Sequence, residues 1–93
     1  MRLVIIPSEN KVNKDGYAFS NLNLSNIPTD VHALQWENDT GWIEYKKHVK
    51  PNKDITSLPQ WANDALNIWQ QTYDAEQTNN ASEEILNVNQ TMT

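Results

Sequence analysis

Apolar residues enter this chain in two rhythms, near-alternation in the first half and a three-and-four spacing in the second. Leu3, Val4, Ile5 and Ile6 make a short apolar run, rich in β-branched residues, that Pro7 stops. Ser8-Glu9-Asn10-Lys11 then supplies turn chemistry before Val12, so a first hairpin is expected. Asp15-Gly16 is a second turn signal, leading into a strand that carries Tyr17 and Phe19 on one side. Residues 21–27 alternate until Pro28 interrupts them. Proline lacks the amide that a central strand must donate, so an edge strand or an ordered loop turning Leu22, Leu24 and Ile27 inward fits here.

The clearest β signal is Val31-His32-Ala33-Leu34-Gln35-Trp36-Glu37, then the loop Asn38-Asp39-Thr40-Gly41, then Trp42-Ile43-Glu44-Tyr45-Lys46. A four-residue loop ending in glycine suits a type I turn followed by a left-handed residue. That register pairs Trp36 with Ile43 and Leu34 with Tyr45. These four share one face with His32, the expected core side, while Trp42, Glu44, Ala33 and Gln35 point to a more solvated side. Residues 46–53 are polar and basic around Pro51 and read as a connection whose charges solubilise.

Ser57-Leu58-Pro59-Gln60 has the form of a capping box, with proline tolerated in a first turn whose amides lack intrahelical partners. A helix is therefore predicted from about Leu58 to about Gln77. Leu58, Trp61, Ala62, Ala65, Leu66, Ile68, Trp69, Thr72 and Tyr73 form its apolar stripe. Asn63, Asp64, Asn67, Gln70, Gln71 and Asp74 make the opposite face polar. Thr78-Asn79-Asn80-Ala81 ends the pattern, and Ser82-Glu83-Glu84 can cap one more short turn carrying Ile85, Leu86 and Val88. The expectation is an α+β fold, a small antiparallel sheet of N-terminal hairpins packed by one long C-terminal amphipathic helix. Residues 1–77 form the single domain and 78–93 a polar tail, of which residues 87–93 are expected to fray.

With 93 residues there is room for one core. Only 38 % of residues are hydrophobic and the mean hydropathy is -0.75, so that core must come from a few large side chains. Trp36, Trp61 and Trp69 fall on apolar faces and are assigned to it; Trp42 falls on the mixed face, where cover and partner contact are both open.

Twelve acids against seven bases give a net charge of -5, with no basic run denser than Lys46-Lys47-His48-Val49-Lys50. Phosphate neutralisation needs a positive face, so nucleic-acid binding is not expected, nor is a basic membrane-surface helix. The opening apolar run is too short for a leader or a membrane span, which makes the cytoplasm the default location. Without cysteine there is no disulfide and no thiolate metal site.

Candidate chemistry is sparse. His32 and His48 have no partner at metal-ligand spacing, and the ordinary role of such a histidine is a structural hydrogen bond. Gly16 and Gly41 are the only glycines, which leaves no phosphate cradle and no nucleophile elbow. Glu37, Asp39 and Glu44 sit near one hairpin, but acids at turns and on exposed strands are usually solvated, and a chain of this size rarely builds an enclosing cleft. No catalytic residue and no cofactor are therefore expected. The residues assigned to protein contact are Trp42, Glu44, Ile85, Leu86 and Val88.

The stretch Ile27-Pro28-Thr29-Asp30-Val31-His32-Ala33-Leu34-Gln35-Trp36, followed by Gly41-Trp42-Ile43-Glu44-Tyr45, resembles small bacteriophage proteins encoded in the tail or tail-fibre region. Their shared pattern is Pro-x-x-x-His-Ala-x-Gln-Trp, then Gly-x-Ile-Glu with Tyr or Phe. The resemblance covers residues 1 to about 75, and the segment after Gln77 has no counterpart in it. It implies a non-enzymatic tail-associated protein working in the host cytoplasm during assembly or in the virion tail. Its partners would be tail or tail-fibre proteins, and its role that of an assembly chaperone or minor virion component. A host-directed inhibitor that masks basic surfaces is the alternative, and a carbohydrate-binding module using Trp42 is a third.

Overall fold

The structure is a computed structural model that describes residues 1–47 and 50–92, with side chains through Thr78. Six strands, β1 (Arg2–Ile6), β2 (Lys11–Lys14), β3 (Tyr17–Phe19), β4 (Val31–Glu37), β5 (Thr40–Tyr45) and β6 (Lys53–Ile55), precede one helix, α1 (Gln60–Met92). The strands form a single antiparallel sheet in the order β3-β2-β1-β4-β5-β6. The fold is thus α+β, with the helix packed on one face of the sheet and nearest to β2.

Turn chemistry places the hairpins. Asp15 and Gly16, at φ 53° and 88°, make the two-residue loop between β2 and β3, the left-handed pair that matches strand twist. Between β1 and β2 a short 3-10 turn over Pro7–Glu9 ends on Asn10 at φ 48°, whose amide donates to the Pro7 carbonyl.

The β4–β5 loop differs from the sequence expectation. Glu37 pairs with Thr40 and Trp36 with Gly41, so the loop is the two residues Asn38 and Asp39. Asn38 takes the positive φ, 59°, that was assigned to Gly41. Asparagine tolerates that region, so the shorter loop is open to the chain. Leu34 consequently pairs with Ile43. Because the slip is two residues, the side chains from Ala33 to Tyr45 keep their faces. Gly41 serves another purpose: a Cβ there would collide with the Gln35 carbonyl and come within 2.9 Å of the Trp36 Cα and 3.0 Å of its ring.

A bulge interrupts the pairing between Val31 and Ala33, which oppose Tyr45 and Glu44. The extra residue is His32, and it is exposed instead of sharing the core face.

The core lies under the helix. Leu3, Ile5, Val12, Leu34, Trp36 and Ile43 from the sheet meet Ala62, Ala65 and Trp69 from α1. The two alanines, essentially inaccessible, let the helix axis approach the sheet closely. Residues 20–30 form no strand but an ordered loop that turns Leu22, Leu24 and Ile27 into the same cluster. Trp61 is half-buried against it, beside Leu24, Ile27 and Ile68.

Two further boundaries differ. Residues 53–55, which begin at the last residue of the expected connection and lie outside every expected strand, add the edge strand β6; a three-residue strand with two charges has no periodicity to betray it. The helix begins at Gln60, where the Pro59 carbonyl accepts the amides of Ala62 (2.9 Å) and Asn63 (3.1 Å). Pro59 thus occupies the position foreseen for Ser57, and Gln60 Nε2 donates forward to Asp64 instead of back to a serine. At its other end α1 runs through residues 78–81, where the pattern was expected to stop. No glycine or proline occurs between residues 60 and 92, and Thr and Asn cost only a fraction of a kcal/mol each in a helix.

Candidate functional site

One face of the sheet is consumed by the helix; the other is where this chain can meet something else. Strand alternation and register decide its residues. Across the sheet, Asn13, Val4, Gln35, Trp42 and Asp54 stand in one row, each paired with the next. A second row runs from Lys11 through Ile6 to Ala33 and Glu44, and a third carries Arg2, Glu37 and Thr40. The side chains of these rows are exposed or half-buried, except Ala33, and none belongs to the core cluster.

Trp42 is the most conspicuous member. It keeps 42 % of its surface exposed, against 7 % for Trp36 and 5 % for Trp69. Its indole Nε1 donates to Glu44 Oε2 at 2.8 Å, which fixes the ring's edge and leaves its apolar body available. A large apolar ring with its polar atom already satisfied loses little on desolvation, a property of interface anchors. The two sequence-chosen residues of this hairpin, Trp42 and Glu44, are therefore brought together.

The face is polarised by charge. On the β1–β2 half stand Arg2 and Lys11; on the β4–β6 half stand Glu37, Glu44 and Asp54. Arg2 and Glu37 bridge the two halves with an exposed ion pair at 3.4 Å. The β1–β2 half also holds a hollow of about 220 Å³ lined by Arg2, Val4, Ile6, Lys11, Asn13 and Gly16. Beside Trp42 a larger, more open depression of about 440 Å³ reaches Glu37, Asp54, Ile55 and Thr56. Sequence reasoning found Trp42 and Glu44 but missed Val4, Ile6, Lys11 and Asp54. The first two lie in a run that reads as wholly buried, and Asp54 joins the face only through the unforeseen β6.

At the other end of the helix face the aromatic side chains gather. Trp69 and Tyr73 stack at 5.1 Å between centroids, with Tyr17 and Phe19 packed against the pair. Lys14 Nζ lies 5.0 Å from the Trp69 ring centroid, and the Trp69 indole donates to the Tyr17 carbonyl at 2.8 Å. Tyr17 donates its hydroxyl to Glu76 at 2.6 Å. That bond to a carboxylate, helped by partial burial and by the negative charge beside it, raises the Tyr17 pKa above the ordinary tyrosine value. These contacts tie β3 to α1 and read as packing.

His32 stands alone on the bulge, and His48 lies outside the described residues. Among the described residues no group of three His, Cys, Asp or Glu side chains comes together, and no helix is long and apolar enough to cross a membrane. Ile85, Leu86 and Val88, the other contact candidates, lie outside the residues whose side chains are described.

Fold and face together define a one-sided α+β sheet domain whose second sheet face carries an exposed tryptophan on a charge-polarised ground. No protein-family model matches the chain, and neither the curated proteins nor the solved structures contain a significant match to it.

Proposed function

We propose that this chain is a non-enzymatic bacteriophage tail-associated protein that works by contact with other proteins, as a tail-fibre assembly chaperone or a minor virion component. The observation that carries the contact reading is the open sheet face, with Trp42 standing 42 % exposed and its indole nitrogen already bonded to Glu44. Exposed aromatic rings on otherwise polar ground are where binding energy concentrates. The tail context rests on the resemblance at residues 27–36 and 41–45, within which both Trp42 and Glu44 fall.

The test is recovery of the tagged chain from infected cells, with mass spectrometry of what accompanies it and of purified virions. Tail or fibre proteins should co-purify with the wild type, and Trp42→Ala should reduce their recovery at least several-fold. A chain recovered without any tail protein, and absent from virions, would refute the tail reading. Recovery that ignores Trp42→Ala would refute the role of this face.

A further inference from the structure

The open face has a property that a surface built for an unrelated partner does not need: it is complementary to itself. The strand order β3-β2-β1-β4-β5-β6 has its centre between β1 and β4. A two-fold axis running along the strands above that centre lays β1 of one copy over β4 of the next, and β2 over β5. Positions along the strands are preserved by such a rotation, so residues of one row meet residues of the same row. Trp42 then comes down level with Asn13 and Val4 of the other copy, in the hollow lined by Arg2, Val4, Ile6, Lys11, Asn13 and Gly16. At about 30 Å³ per water, 220 Å³ is the space of roughly seven waters, the scale of one large side chain. In the neighbouring row Glu44 comes down level with Lys11. The same operation acts in reverse, so each copy sets its exposed indole and acidic half against the β1–β2 hollow and basic half of the other. An isologous interface requires this pairing of unlike features across its axis.

Resting on the reading of this face as the contact surface, we infer that its occupant is a second copy of the chain, in a two-fold dimer with sheets stacked face to face and Trp42 seated in the partner's β1–β2 hollow. Stacked sheets cross at about 30°, which a slight tilt of the axis accommodates. Six strands about 4.8 Å apart and roughly five residues of about 3.4 Å each give a face near 480 Å² in projection. That is below the ~800 Å² per partner of a standard stable complex, which puts the dimer among weak, reversible associations.

Sedimentation equilibrium on the full chain, from about 1 to about 500 µM, reads this directly through mass action. The expected result is a monomer–dimer equilibrium. Trp42→Ala, folded by circular dichroism, should weaken it roughly tenfold or more. Lys11→Glu and Glu44→Lys should each weaken it, and the double swap should restore it, because the pair then meets again with signs exchanged. A chain that stays monomeric throughout, or a dimer indifferent to Trp42 and to the charge swap, overturns the proposal. If the chain is monomeric yet retains a tail protein in a Trp42-dependent manner, the dimer falls and the contact reading stands. If Trp42→Ala alters neither self-association nor tail-protein recovery, both fall.

Discussion

Replacing Trp69 with alanine should remove a large share of this protein's stability. Trp69 is 5 % exposed, stacks on Tyr73, packs against Phe19 and Tyr17, and carries Lys14 over its ring. Burying roughly 200 Å² of indole at about 25 cal/mol per Å² is worth about 5 kcal/mol. Truncations of this kind cost about 3–5 kcal/mol in practice, since part of the cavity closes. The indole hydrogen bond to the Tyr17 carbonyl adds about 1 kcal/mol. A 93-residue domain has a total stability of about 5–14 kcal/mol, so this one change removes a third or more of it. The assay is urea unfolding followed by circular dichroism at the helical band, which does not depend on the tryptophan being removed. Trp42→Ala is the matched comparison: the same substitution at a 42 % exposed site should fall within about 1 kcal/mol of wild type. A loss below about 1 kcal/mol for Trp69→Ala, or an equal loss at the two positions, would refute the assignment of one indole to the core and the other to the surface.

Gly41→Ala should destabilise by about 1–3 kcal/mol, since its Cβ meets the Gln35 carbonyl and the Trp36 backbone, neither of which can swing away; the urea midpoint reports it, and a neutral outcome would mean the β4–β5 register is wrong. Asn38→Gly should be tolerated, whereas Asn38→Val should cost on the order of 1–3 kcal/mol, because φ 59° is strained for a β-branched residue. Tyr17 should ionise above the ordinary tyrosine range in an alkaline titration followed by tyrosinate absorbance, and Tyr17→Phe should remove that late step. The sign follows from its raised pKa in the folded state: the stabilisation is fully present below the unfolded tyrosine value near ~10 and is lost as pH rises through the folded value.

What the sequence made legible was whatever is written locally. The Asp15-Gly16 turn, the alternation in residues 31–37 and the three-and-four stripe of residues 61–73 each carry their own physical signature, and the corresponding elements are present. What escaped was set by partners elsewhere in the chain. β6 exists because β5 offers an edge, and nothing in Lys53-Asp54-Ile55 announces it. The bulge that expels His32 is a mismatch in length between two strands, invisible in either alone. Val4 and Ile6 read as core because a continuous apolar run does not say which alternate residues the helix will cover, and it covers Leu3 and Ile5. The candidate contact hairpin was half legible for the same reason: Trp42 and Glu44 announce a mixed face, while the hollow and the opposing charges on β1 and β2 come from sheet order.

A single helix cannot cover both faces of a six-stranded sheet, and this chain has spent its tryptophans accordingly. Two are sealed between α1 and the sheet, one is half-buried beside the 20–30 loop, and the fourth stands on the bare side. An antiparallel sheet can leave one face to water if that face is polar, and the Arg2–Glu37 ion pair, Asn13, Gln35 and Asp54 would suffice for that purpose. Val4, Ile6 and Trp42 are superfluous to a merely wetted face, and Trp42 has the cost of its indole nitrogen already met by Glu44. Replacing Val4 and Ile6 together with threonine separates the two purposes. If the face serves only as a wet exterior, stability and self-association should both stay near wild type. If it is a docking surface, the fold should hold in urea while association weakens in step with Trp42→Ala, because the hollow that receives the indole has lost its apolar floor.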